Sequence, residues 1–64
     1  MNKTFITVYE LKRAYIVATD VHLKRFVLSA VAKCNAIKVL GLVIEDTKII
    51  QDIKRLSKIR SVGL

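Results

Sequence analysis

Eight consecutive residues, Ile37-Lys38-Val39-Leu40-Gly41-Leu42-Val43-Ile44, carry a single charge and stop at Glu45-Asp46. A run of this length, rich in β-branched residues, predicts a strand covered on both faces, because a half-exposed strand would alternate apolar with polar positions. Upstream, Thr4-Phe5-Ile6-Thr7-Val8-Tyr9 is dense in β-branched and aromatic residues and reads as a first strand. Ala14-Tyr15-Ile16-Val17-Ala18 reads as a second. The stretch between them has no Gly, Asn, Asp or Pro, so no tight hairpin turn is signalled. A helix competes for this region: Thr7 and Glu10 have capping-box spacing, and Val8, Leu11, Tyr15 and Ala18 share one helical face. Tyr9, Ile16 and Val17 would fall off that face, and on this ground the strand is preferred.

Two helices follow more directly. Asp20 is a good N-cap, and over residues 21–35 Leu23, Val27, Ala30, Val31 and Cys34 make one apolar stripe. His22, Arg25, Ser29 and Lys33 lie opposite it, and Asn35 is a natural stop. Asp46-Thr47 starts the second helix, over residues 48–58, with Ile49, Ile50, Ile53 and Leu56 inward. With no proline and two glycines there is no linker, so residues 1–64 form one domain. The expected order is ββαβα, with residues 60–64 able to add a short edge strand. This is an α+β sandwich with two helices on one face of a small sheet. The close of the chain, Leu56-Ser57-Lys58-Ile59 followed by Arg60-Ser61-Val62-Gly63-Leu64, resembles the last helix and strand of ferredoxin-like domains. That likeness spans about a quarter of the chain. It implies a fold and carries over no functional residue.

In this arrangement the central strand offers Leu40, Leu42 and Ile44 to one face and Ile37, Val39 and Val43 to the other, and two helices can cover only one. Three aliphatic side chains left in water forgo about 5 kcal/mol at roughly 25 cal/mol per Å2, comparable to the whole stability of a small domain. A second copy of the chain is the simplest cover, which makes Ile37, Val39 and Val43 the expected interface of a homodimer. If residues 8–18 were instead a helix over the second face, the need for a second copy would largely vanish.

Composition supports association. A chain of 64 residues buries only about 60% of its unfolded surface. Its hydrophobic share is 53%, above the usual ~45–50%. Cys34 is the only cysteine, which excludes an internal disulfide, and with His22 the only other soft ligand a structural zinc site is not expected. No cofactor is expected. No segment reaches the ~20 apolar residues needed to span a bilayer, and Met1-Asn2-Lys3-Thr4 opens no signal-peptide core, so the expected location is the cytoplasm.

Charge changes the picture most. Twelve Lys and Arg against five Asp and Glu give +7 and a pI near 10, a field that favours polyanions. Lys24, Arg25 and Lys33 mark the outer side of the first predicted helix; Lys54, Arg55 and Lys58 mark that of the second, with Arg60 beyond. If the two helices lie side by side, these seven cations share one surface able to hold phosphates without reading bases. Tyr9 and Tyr15 could stack on bases, although their apolar surroundings favour core packing.

Catalytic chemistry finds little footing. Glu45 and Asp46 are neighbours rather than a pair facing across a cleft, and Asp46 already serves as a helix start. His22 has no nucleophile within reach, Cys34 sits on a buried stripe, and Gly41 alone makes no phosphate loop. The expected function is therefore a non-enzymatic, nucleic-acid-associated regulator. Its rival is an adaptor or inhibitor that docks on a larger protein through the apolar sheet face, as accessory proteins of phages and mobile elements do.

Overall fold

The computed structural model describes residues 3–59. Its elements run β1 (Thr4–Thr7), α1 (Val8–Val17), α2 (Val21–Ile37), β2 (Gly41–Ile44) and α3 (Thr47–Ser57). The fold is α+β: two antiparallel strands and three helices packed on them. The expected ββαβα order is corrected, because the segment expected as a second strand is helical, and the ferredoxin-like pattern is not seen among the described residues. Residues 60–64, expected to add a strand, lie outside the described residues.

The capping box decides the first correction. Thr7 is the N-cap of α1: its Oγ accepts from the Glu10 amide at 3.1 Å, while the Glu10 carboxylate accepts from the Thr7 amide at 3.0 Å. The apolar residues that argued against a helix have simple positions. Helix α1 lies between α2 and α3, so it buries a wide arc that includes Leu11 and Ala14 and half-buries Val17. Tyr9 and Ile16 stay in solvent, at 69% and 68% exposure.

The second correction shortens the central strand. Helix α2 starts where expected, with Asp20 accepting from the His22 amide at 2.9 Å, but runs past Asn35 to Ile37. Lys38 then takes the left-handed conformation, φ 58° and ψ 48°, and its amide and that of Val39 both reach back to the Cys34 carbonyl. Ile37 therefore belongs to the helix, Val39 and Leu40 to the turn, and only Gly41–Ile44 to the strand. Helix α3 begins as expected, with the Asp46 carboxylate accepting from the Ile49 amide at 3.2 Å, and buries Ile50, Ile53 and Leu56.

Strand β1 pairs with β2 in the register Thr4↔Ile44, Phe5↔Val43, Ile6↔Leu42, Thr7↔Gly41. The buried Ile6 and Ile44 face the helices and join Leu11, Val27, Ile50 and Ile53 in one core. On the other face Phe5 is 53% exposed and Val43 59% exposed. Helix α1 thus lies on the same side as α2 and α3, and the outer face of the sheet stays uncovered among the described residues. Gly41 is required where it stands: a Cβ there would meet the Ile6 carbonyl and lie 2.6 Å from Cζ of the Phe5 ring, which lies across the glycine.

Candidate nucleic-acid interface and apolar surfaces

The three helix starts take up most of the negative charge. Glu10, Asp20 and Asp46 each accept a backbone amide at an N-terminus, where the helix dipole also favours an anion. Of the two remaining acids, Asp52 lies 3.5 Å from Arg55 one turn along α3, and Glu45 lies 3.9 Å from Lys3 with both side chains largely in water. Such exposed pairs contribute little. The cation excess is therefore left to the surface.

The structure does not bring the seven expected cations onto one face. Helix α1 separates α2 from α3 instead of letting them lie side by side. On α2, Lys24 sits on the flank towards α1, with its ammonium 5.6 Å from the centre of the Tyr15 ring, while Arg25 points to solvent. Lys33 lines a groove on the opposite flank, beside β2. On α3, Lys54 is turned inward to Glu10, Nζ to Oε2 2.7 Å, while Arg55 stays exposed with Asp52 3.5 Å away. Lys58 is exposed, and Arg60 lies outside the described residues.

What the sequence reasoning missed is α1 itself, which carries Lys12 and Arg13 between the other two helices. Arg13 reaches α3's end, Nη2 to the Ile59 carbonyl 3.0 Å, and Lys12 is exposed beside the Tyr15–Ile16 edge. A basic band thus runs from Lys24 on α2, across Lys12 and Arg13 on α1, to Lys58 at the end of α3. The capping-box spacing was the signal that could have found it. Tyr9, expected in the core, stands exposed on the same ridge of α1, and Tyr15 is half-buried under Lys24.

Glu10 is the acid within this band, and it is closed off. Partial burial pushes its carboxyl up, but the Lys54 ammonium and the Thr7 amide and hydroxyl outweigh that and hold it below the usual carboxylate range.

Two apolar features complete the surface. One is a groove of about 330 Å3 between α1 and α2, walled by Tyr15, Ile16, Leu28 and Val31. The other is the uncovered sheet face with the turn before it. There Leu40 is 84% exposed, and Ile37, Val39 and Val43, the expected interface residues, are all exposed. Beside β2 runs a groove of about 360 Å3, floored by Phe26, Ala30, Leu42 and Ile44 and rimmed by Lys33 and Glu45. Cys34 is fully buried and His22 is exposed. Among the described residues, no three His, Cys, Asp or Glu side chains come together as a metal site, and no helix is long and apolar enough to cross a membrane. Comparison with protein-family models, with curated proteins and with solved structures found no match for the chain.

Proposed function

We propose that this chain is a small non-enzymatic binding protein that works as a homodimer and associates with nucleic acid through phosphate contacts. The observation that carries the reading is the basic band across three helices. Lys12, Arg13, Lys24 and Lys58 have no carboxylate partner among the described residues, because the acids are taken up as helix caps and short pairs. Exposed Tyr9 supplies a flat ring beside the cations. The setting proposed is the cytoplasm, where a lone thiol such as Cys34 stays reduced.

Fluorescence anisotropy with a labelled mixed-sequence duplex at rising salt tests this. Binding is expected at low salt and to fall steeply as salt rises. Lys12→Glu with Lys58→Glu is expected to weaken it at least about tenfold and to flatten the salt slope by about one for each phosphate no longer neutralised. A wild-type protein indifferent to the duplex at low salt would sink the reading.

A second reading rests on Leu40, whose exposure has no role inside the monomer. An adaptor or inhibitor would use Leu40 with Phe5 and Val43 to dock on a larger protein. In that case Leu40→Ser abolishes function and leaves duplex binding untouched.

A further inference from the structure

Helices α1 and α2 are joined by residues 18–20 alone, so they run antiparallel, and on their outer side the boundary between them opens into the groove of about 330 Å3. Lys12, Tyr15 and Ile16 of α1, at i, i+3 and i+4, form one wall, and Leu28 and Val31 of α2 form the other. Val27 is fully buried between them, yet Ile16 is 68% exposed and Leu28 52% exposed. The walls therefore stand in water above a dry floor, and their apolar surface does nothing for the core of this chain.

The charge around the groove has one sign. Helix α2 contains Lys24, Arg25 and Lys33 and no Asp or Glu, while α1 contains Lys12, Arg13 and one acid, Glu10, whose carboxylate is 2.7 Å from Lys54 on the α3 side. Asp20 accepts the His22 amide and lines a hollow on the other flank of α2, with Leu23 and Phe26. Arg13 reaches away to the Ile59 carbonyl, but Lys12 lines the groove, and Lys24 lays its ammonium 5.6 Å from the centre of the Tyr15 ring that walls it. Lys24 is one turn before Leu28 and so stands on α2 at the end near the connection. Lys12 is one turn before Ile16 and so stands on α1 at the far end. The two cations face each other diagonally across an apolar hollow.

We propose that this groove seats an acidic amphipathic helix of another protein, with its apolar stripe at i, i+4 and i+7 against Ile16, Leu28 and Val31. One carboxylate on each flank of that stripe meets Lys12 at one end and Lys24 at the other. Charge and shape select this occupant. A nucleic-acid base would set its polar edges against aliphatic side chains. A bilayer surface is flat and would meet the ridge of Tyr9 and Ile16 rather than the hollow. A second copy of this chain would bring like charge on its own α1 and α2. The docked helix covers Lys12 and Lys24, two of the cations given above to phosphate contacts, so it and a duplex exclude one another. The docking itself does not depend on the duplex reading.

Methyl NMR of the full chain, titrated with synthetic peptides, tests this. The probe is an Ala-rich peptide of about 18 residues with Leu at i, i+4 and i+7 and Glu along both flanks. It is expected to shift the methyl signals of Ile16, Leu28 and Val31. A permuted peptide of the same composition, with its Leu residues scattered around the helix, and a twin with Lys for Glu are expected not to. Ile16→Ser with Leu28→Ser alters exposed positions and no charge, and is expected to weaken the peptide at least about tenfold while leaving duplex binding as it is. Lys12→Glu with Lys24→Glu is expected to exchange the preference, so that the Lys twin binds and the Glu peptide does not, a result that a misfolded variant cannot give. Equal binding of the permuted peptide would overturn the groove, because only charge would then be read. Phosphatidylserine vesicles that shift the same signals where the peptide does not would overturn it in favour of a lipid surface. If the duplex binds and the peptide does not, the docking falls and the function proposed above stands; if the peptide binds and the duplex does not, the reverse holds.

Discussion

The seam between α1 and α3 and the groove between α2 and β2 are built from the same kinds of group and treated in opposite ways. At the seam, a lysine, a glutamate and backbone amides close on one another: Lys54 on Glu10, Glu10 on Thr7, and Arg13 on the Ile59 carbonyl. At the groove, Lys33 borders an apolar floor with no carboxylate partner among the described residues, and Glu45 comes no closer than 3.9 Å to Lys3, in water. Both regions border the same core. The difference shows that polar groups next to the core of this small chain are satisfied internally on one side and left for outside contacts on the other.

The seam fails most severely under Ile53→Ala. Ile53 is fully buried beneath the α1–α3 seam, and a cavity there is expected to cost about 2–5 kcal/mol. Urea unfolding measures this, and a drop below about 1 kcal/mol would mean that the seam is not where stability is concentrated.

A smaller effect is expected from Thr7→Ala, about 1 kcal/mol, since it removes the side-chain half of the box that starts α1. Thr7→Ser should recover most of it, because the hydroxyl oxygen is what accepts the Glu10 amide.

The pH dependence separates the two regions further. With its folded pKa depressed, Glu10 contributes stability that is fully present above the unfolded-state value of about 4.3 and is lost as pH falls through the folded value. Acid titration of unfolding stability should show that decline for the wild type and a flatter profile for Glu10→Gln. Equal profiles would mean that Glu10 does not tie the seam together. Smallest of all, Lys33→Ala at low protein concentration should change monomer stability by no more than about 0.5 kcal/mol, because its ammonium has no partner in its own chain among the described residues.

Much of the scaffold was legible in the sequence, and the misses have physical reasons. Asp20 and Asp46 cap the helices they were expected to cap, and the inward stripes on α2 and α3 are the buried ones apart from the half-buried Val31 and Ile49, because a cap and an apolar face are local signals. The α1 error came from setting a tertiary argument against a local one. Tyr9 and Ile16 looked too apolar for a helix surface, whereas single exposed apolar residues are normal and the Thr7–Glu10 box was decisive. The end of α2 was not legible: the left-handed position fell on Lys38 rather than Asn35, and a lysine side chain gives no sign of that conformation. The cation surface suffered most. Lys54 could not be withdrawn from it until α1 existed to place Glu10 opposite, across 44 positions of sequence.

The ribbon's partners lie far apart along the chain, with the whole α1–α2 hairpin standing between Thr7 and Gly41. Helix turns form from neighbouring residues, while β1 and β2 can zip only after that long loop has closed, so chain entropy orders the events with the helices first and the ribbon last. Until it closes, the Thr4–Thr7 segment of one molecule competes for the Gly41–Ile44 segment of another only where the protein concentration rivals the effective concentration that the connecting loop gives its own partner. Crowding at the moment of folding, more than the stability of the finished molecule, therefore sets how many chains exchange strands instead of completing their own.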